Sequence, residues 1–188
     1  VYDAARGDDA LESLTKALAE TPDLAPAAKL VRKAPKVREL LAATFSSSPY
    51  LTSLALRDPA TPAKCLTRDP DTHLTDARAE LAAVLAEAPT PKETMALLRR
   101  FKRRMALLTG LADLGGVWTT EATLAAMSAA ADAVLQEATA FLFRKAREAG
   151  QIAPQADSLS APGYFIIAMG KLGAFELNYS SDIDIIVF

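Results

Sequence analysis

MGKLGAFELNYSSDIDIIVF, residues Met169 to Phe188, sets two carboxylates, Asp182 and Asp184, among Ile183, Ile185, Ile186 and Val187. A glycine-lysine turn, Gly170-Lys171-Leu172-Gly173, lies just upstream. DIDIIVF is apolar and β-branched enough to predict a strand, and YFIIAM, Tyr164 to Met169, predicts another before the turn. KLGAFEL between them has room for one helical turn or two. In a strand, residues i and i+2 share a side. Asp182 and Asp184 are therefore expected to project together, with Cα atoms roughly 6–7 Å apart. Ile183 and Ile185 are expected to point the other way, into a core. Adjacent carboxylates repel unless a cation sits between them, and a divalent ion removes that penalty. Such a pair can hold one metal and share a second, the arrangement that suits in-line phosphoryl displacement. An isolated D-x-D is far more often a solvated strand end.

The turn narrows the choice. Glycines after a strand free backbone N–H groups for close approach to phosphate, and Lys171 adds a point charge. This is not a P-loop, which needs G-x-x-x-x-G-K-[ST]; Phe165 and Leu172 fill the required glycine and hydroxyl positions. G-K-L-G also has the form of a KH-type clamp for single-stranded RNA, but that loop joins two helices and here a strand precedes it.

The bulk composition bounds the rest. Of 188 residues, 51% are hydrophobic and 23% charged, with a net charge of −2, enough for a packed core and too acidic for a general nucleic-acid binder. No apolar run approaches the ~20 residues that cross a bilayer, and no secretory signal opens the chain. Val1 in place of methionine is what a chain cut from a longer one would show. The single Cys65 permits no internal disulfide and points to a reducing, cytoplasmic setting. One cysteine and one histidine exclude a Cys/His zinc site, so any metal should be a hard ion such as Mg²⁺ or Mn²⁺.

Residues 1–150 are expected to form a helical domain, because alanine and leucine dominate and apolar residues recur every three or four positions. Leu11, Leu14 and Leu18 make one stripe; Val37, Leu40, Leu41, Thr44 and Phe45 make another. Ser48 is a cap with Pro49 at the first helical position, and Asp58-Pro59 ends that helix. Residues 59–71 carry three prolines and are expected to be a loop with at most one turn. A helix should run from Asp71 or Thr72 to about Ala88. The next opens at Thr90-Pro91, with Met95, Leu98, Phe101, Met105 and Leu108 on one side, and closes at Gly115-Gly116. A long alanine-rich helix from Thr119 or Thr120 should reach Ala149. Its small Ala125, Ala129 and Ala133 would admit a close neighbour. QIAPQADSLSAPG, residues 151–163, is expected to be a linker, and residues 164–188 the start of a catalytic domain.

Strand, glycine turn, a connection of about ten residues and D-x-D on a second strand resemble the active-site pattern of the nucleotidyltransferase superfamily. MGKLGAFELNYSSDIDIIVF goes further and closely resembles the signature G-K-L-G-[GA]-x-E-L-[NG]-x-x-S-D-[IL]-D-[IL] of the bifunctional glutamine synthetase adenylyltransferase/adenylyl-removing family. SPYLTSLALRDP and LLRRFKRRMALLTGLADLGG resemble the helical segments that precede it, so the likeness covers the chain from about residue 36 onward. The resemblance implies a mainly α chain, a helical bundle followed by the first two strands of a truncated α/β nucleotidyltransferase fold. It implies that Asp182 and Asp184 hold Mg²⁺ or Mn²⁺ and carry catalysis. It implies that Gly170, Lys171, Gly173 and Ser181 bind the nucleotide or phosphate. The implied partners are glutamine synthetase, ATP or ADP, phosphate and a nitrogen-signalling regulatory protein, with no nucleic acid and no membrane. Asn178, where the adenylylating half more often has glycine, points to the N-terminal half, which removes AMP from a tyrosine by phosphorolysis and releases ADP. The alternatives are adenylyl transfer from ATP, or a helical docking module with a silent site.

Two departures from the family pattern stand out. Ala174 takes a position where glycine is usual, which matters only if the backbone there is left-handed. The third carboxylate of the superfamily belongs to a later strand, so the fragment itself is expected to be inactive and to bind metal weakly. Glu176 is expected to satisfy the loop or pack on the turn. The remaining features look structural. KETMALLRRFKRR carries six positive charges in thirteen residues, either a contact for phosphate or an acidic surface, or the solvated face of a helix. His73 is expected at the polar surface and Trp118 as the anchor of a turn. Ser180 and Ser181 could be nucleophiles only beside a base, and Ser181 is placed instead to donate to a phosphate or orient Asp182. The apolar edge IDIIVF invites pairing with another chain.

Overall fold

A computed structural model of the chain describes residues 3–87, 90–152, 164–179 and 181–188. Among them the chain is mainly helical and ends in a two-stranded antiparallel sheet. Two compact units emerge, one of residues 1–74 with 103–120 and one of residues 75–102 with 121–188. No helix among the described residues is long and apolar enough to cross a membrane.

The first unit is built on α1 (Ala4–Glu20), α2 (Ala25–Lys33), α3 (Pro35–Ser47), α4 (Pro49–Arg57) and α5 (Ala60–Thr67). The leucine stripe of α1 does what its spacing demands: Leu11, Leu14 and Leu18 are buried with Val31, Leu41 and Phe45. The Ser48 hydroxyl accepts from the Leu51 N–H at 3.2 Å, so α4 starts as its cap predicts. The loop expected over 59–71 is instead largely helix α5. Pro59 sits at its N-cap and Pro62 in its first turn, where N–H groups have no intrahelical partner to lose. Pro59 and Pro62 therefore mark a helix start rather than a loop, and the third proline, Pro70, opens the next helix.

Gly7 marks where α1 meets α3. The Asp3 N–H and the Arg6 guanidinium both donate to the Ser46 carbonyl, at 2.9 and 2.8 Å. A Cβ on Gly7 would run into the Ser46 hydroxyl and stand 2.8 Å from the Ala42 carbonyl oxygen. In an open helix Gly→Ala adds about 1 kcal/mol of stability. Here overlap with backbone reverses the sign, and Gly7→Ala should destabilise by about 1–3 kcal/mol in urea unfolding. An increase in stability would refute the crossing.

Two longer helices run through both units, α6 (Pro70–Ala86) and α7 (Pro91–Leu114). Asp69 caps α6 by accepting from the Thr72 N–H at 2.9 Å, a bond that holds its carboxyl below the ordinary range. Thr90 and Glu93 form a reciprocal capping box at the head of α7, and the Thr90 N–H lowers the Glu93 carboxyl likewise. On α7, Phe101, Met105 and Leu108 are buried but Met95 is half exposed, with Thr94 buried beside it. Lys92, Arg99, Arg100, Lys102 and Arg103 lie on the exposed face, as a solvated basic helix requires. Arg104 turns inward. Its Nε donates at 2.9 Å to Nε2 of His73, which is wholly buried and not at the surface as expected. Pairing with an arginine is what lets an imidazole leave water.

Cys65 packs at the margin of the first core. Burial pushes its thiol up from 9.0 to about 12, against a smaller lowering by the Arg104 charge. A thiol whose folded pKa is raised stabilises fully below its unfolded value, and that contribution is lost as pH climbs from about 9 toward 12. Urea midpoints at pH 8 and 10.5 should therefore fall further for the wild type than for Cys65→Val. Equal slopes would refute it.

The second unit is organised by α8 (Thr120–Glu148). Gly116 and Gly150, both left-handed, end α7 and α8 with paired backbone bonds back into the last turn, as the glycines after each helix predict. Trp118 is buried after the first of these turns. Ala126, Ala130, Ala133 and Phe141 of α8 are buried; Ala125, expected at a helix contact, is exposed. Arg144 reaches from α8 to the Leu85 carbonyl of α6 at 2.7 Å. The linker expected over 151–163 falls outside the described residues except for Gln151 and Ile152.

Candidate functional site

Strand β1 (Ile166–Met169) runs into a single short helical turn, α9 (Gly170–Gly173), and pairs with β2 (Asp184–Val187). Both strands are shorter than expected, although the backbones of Phe165 and Phe188 exchange two hydrogen bonds that prolong the ladder. Their rings stack with centroids 5.1 Å apart.

Asp182 lies ahead of β2, so strand alternation does not govern it, and the expected shared side rests on Asp184 alone. Ile183 and Ile185 do not enter a core: β2 is exposed along its whole length. Among the described residues the sheet has only these two strands, and the partly covered positions are on β1, at Ile166 and Ala168.

The register brings the motif together. Met169 stands opposite Asp184, so the residue that precedes the glycine turn faces the second aspartate. A Cβ on Gly170 would lie 3.3 Å from Asp184 Oδ2. The carboxylate thus rests against the turn, and Lys171, exposed, is the next residue. Gly170 is left-handed, with φ +54°. Gly173 is required for a different reason, since a Cβ there would collide with the Ala168 carbonyl of β1.

The exit from α9 is a Schellman turn. The Phe175 N–H donates to the Leu172 carbonyl at 3.1 Å and the Glu176 N–H to the Lys171 carbonyl at 2.8 Å. Ala174 is right-handed (φ −86°), so alanine costs nothing there. The left-handed residue is Phe175, at φ +58°. A bulky residue in that conformation stores about 1–2 kcal/mol, the kind of strain that gathers at functional loops. Glu176 is exposed, and only its backbone serves the turn.

Ser181 makes its contacts with Asn178, within the loop that precedes Asp182. Its hydroxyl donates to Asn178 Oδ1 at 2.6 Å and accepts from the Asn178 N–H at 3.3 Å, closing the turn that leads to Asp182. Ser180 lies outside the described residues. Among the described residues no three Asp, Glu, His or Cys side chains gather in a metal-ligating group. A residue that gave no sign in the sequence does reach the motif: Ser128 of α8 accepts from the Leu177 N–H at 3.3 Å, both residues being buried. A serine in an alanine-rich helix carries no signal of such a task.

The sequence profile of the glutamate-ammonia ligase adenylyltransferase family matches residues 38–188. Among curated proteins, the bifunctional glutamine synthetase adenylyltransferase/adenylyl-removing enzyme of Bradyrhizobium diazoefficiens is 43% identical over 155 residues, 80% of this chain and 15% of its own length. That of Xanthobacter autotrophicus is 41% identical over 174 residues, 89% of this chain and 18% of its own. A third, from a Bradyrhizobium species, is 36% identical over 184 residues, 96% of this chain and 19% of its own. The chain therefore spans less than a fifth of the length of these relatives. No solved structure matches it. With a profile covering four-fifths of its residues and the family's signature folded into one strand-turn-strand unit, the chain belongs to the glutamate-ammonia ligase adenylyltransferase family.

Proposed function

We propose that the chain forms the nucleotide-holding end of a metal-dependent nucleotidyltransferase site, and that in proteins of the relatives' full length this site removes AMP from an adenylylated tyrosine of glutamine synthetase. The observation that carries the proposal is the pairing of Met169 with Asp184, which sets a carboxylate against Gly170 and beside Lys171. A phosphate-binding turn and a metal-binding carboxylate have to be neighbours for phosphoryl transfer, and two separate sequence motifs become neighbours here.

The donor set fits a hard divalent ion. Asp182 and Asp184 offer carboxylate oxygens, and the chain's lone histidine and cysteine belong to the other unit. Bound there, Mg²⁺ or Mn²⁺ would supply neutralisation of charge on the phosphoryl oxygens. The residues do the rest. Gly170 and Gly173 let the backbone come close to a phosphate, and the Lys171 ammonium offsets its charge. Asn178 and Ser181 brace the approach to Asp182.

In the removing direction, an oxygen of inorganic phosphate attacks the phosphorus of tyrosyl-AMP. The bond from phosphorus to the tyrosyl oxygen breaks, that oxygen takes a proton, and ADP leaves. Asn178 supports this direction, because the adenylylating half of the family it resembles more often has glycine near this position, and the Asn178 side chain has a task here that glycine could not perform.

The test is to incubate a full-length protein carrying this segment with adenylylated glutamine synthetase and phosphate. ADP is the expected product. ADP formation that survives Asp184→Asn, with pyrophosphate formation from ATP and unmodified glutamine synthetase lost instead, would assign the segment to the adenylylating direction. The 188-residue chain alone is expected to give no turnover, and robust phosphorolysis by it would overturn the need for a third carboxylate.

A further inference from the structure

The strand-turn-strand segment is attached to one helix at two places. At its entry, the ring of Tyr164 meets Phe143 of α8 edge-on, with centroids 5.0 Å apart. After the turn, the Leu177 N–H donates to Ser128 of the same helix at 3.3 Å. The two points are fifteen residues apart, about 22 Å along the helix axis. Between them the chain passes through β1 and α9, and β1 carries the partner of Asp184.

The second attachment is a polar one in a buried setting. Ser128 is fully buried and Leu177 nearly so, at 6% exposure. The N–H groups of Phe175 and Glu176 are satisfied by the turn's own carbonyls. Leu177 is the next residue, and its N–H has left that pattern. A buried N–H without an acceptor costs about 1–3 kcal/mol, so the hydroxyl decides where this backbone can stand. A serine inside a helix commonly turns its hydroxyl back on its own preceding turn; this one serves a segment 49 residues away.

We propose that Ser128 is a positioning residue of the nucleotidyl-transfer site. By holding the Leu177 N–H it fixes the exit of the glycine turn against α8, and so sets how Lys171 stands relative to the Asp184 carboxylate. This rests on the assignment of Gly170–Gly173 and Asp184 to that site. Ser128 touches neither reactant. Its contribution passes through the backbone of Leu177.

The test uses a full-length protein carrying this segment and the series Ser128→Cys and Ser128→Ala. Thiol sulfur is a weak acceptor and methyl is none, so kcat should fall in the order Ser, Cys, Ala, by about tenfold for Ala, roughly one decade of barrier. KM for the adenylylated protein should not move. Hydrogen exchange at the Leu177 amide should be slow in the wild type and about tenfold faster in Ser128→Ala, with the amides of α8 unchanged. Loss of thermal stability with kcat intact would make Ser128 merely structural and overturn the proposal. Fast exchange at Leu177 in the unmodified protein would overturn it even if the variants fail to fold. If Asp184→Asn keeps full activity while Leu177 exchange responds to Ser128, it is the site assignment that fails and not the attachment.

Discussion

Asp184→Asn should lower turnover by roughly 10³-fold in a full-length protein carrying this segment, while the melting temperature stays within experimental error. The substitution is nearly isosteric. The amide would sit against Gly170 as the carboxylate does, 3.3 Å from where a Cβ would be, so the fold has no reason to respond. What disappears is one negative charge and with it the affinity for a hard cation. Asp182→Asn should behave in the same direction. A bifunctional relative would lose one activity and keep the other, because the segment accounts for one site. Measuring both activities with separate assays, adenylylation from ATP and phosphorolysis with phosphate, gives the answer. Survival of both at wild-type rates would remove the aspartates from the chemistry.

Gly173→Ala is expected to do comparable damage by another route. Its Cβ would collide with the Ala168 carbonyl, and the obstacle is backbone, which cannot swing aside. Either β1 or the turn must move. Gly116→Ala is the control, because Gly116 is left-handed but has nothing within 4 Å of the added atom. It pays only the left-handed penalty of about 1 kcal/mol. Gly173→Ala should cost about 2–3 kcal/mol locally and, by displacing Lys171 from Asp184, roughly 10²-fold in turnover. The comparison is made by hydrogen exchange across residues 166–177 and by kcat. If Gly173→Ala proves as mild as Gly116→Ala, the turn is softer than its packing indicates and does not position a phosphate.

Several elements were legible before any coordinates. Leu11, Leu14 and Leu18 bury because two turns of helix align them, and no distant residue is needed to know it. Ser48-Pro49 and Thr90-Pro91 start helices through bonds made within three residues. Gly116 and Gly150 stop helices because only glycine takes a left-handed conformation without strain. The errors fall where a local signal has two outcomes. Prolines 59 and 62 break a helix in its interior and begin one at its head, and only the packing of α5 chose. His73 is polar by composition and buried by virtue of Arg104, thirty-one residues away.

The sequence by itself determined the family, the mainly helical class and the residues that carry the candidate chemistry, because each of these is written in short-range pattern: periodicity, caps, and a signature of unusual density between Gly170 and Asp184. Tertiary structure alone decided which of those residues meet. Strand register set Asp184 against Gly170 and left Asp182 ahead of the strand. Backbone conformation put the left-handed position at Phe175 and not at Ala174. A hydroxyl from α8 took hold of Leu177. Register, chain reversal and long-range hydrogen bonds depend on where distant segments come to rest, and no local pattern of residues encodes that.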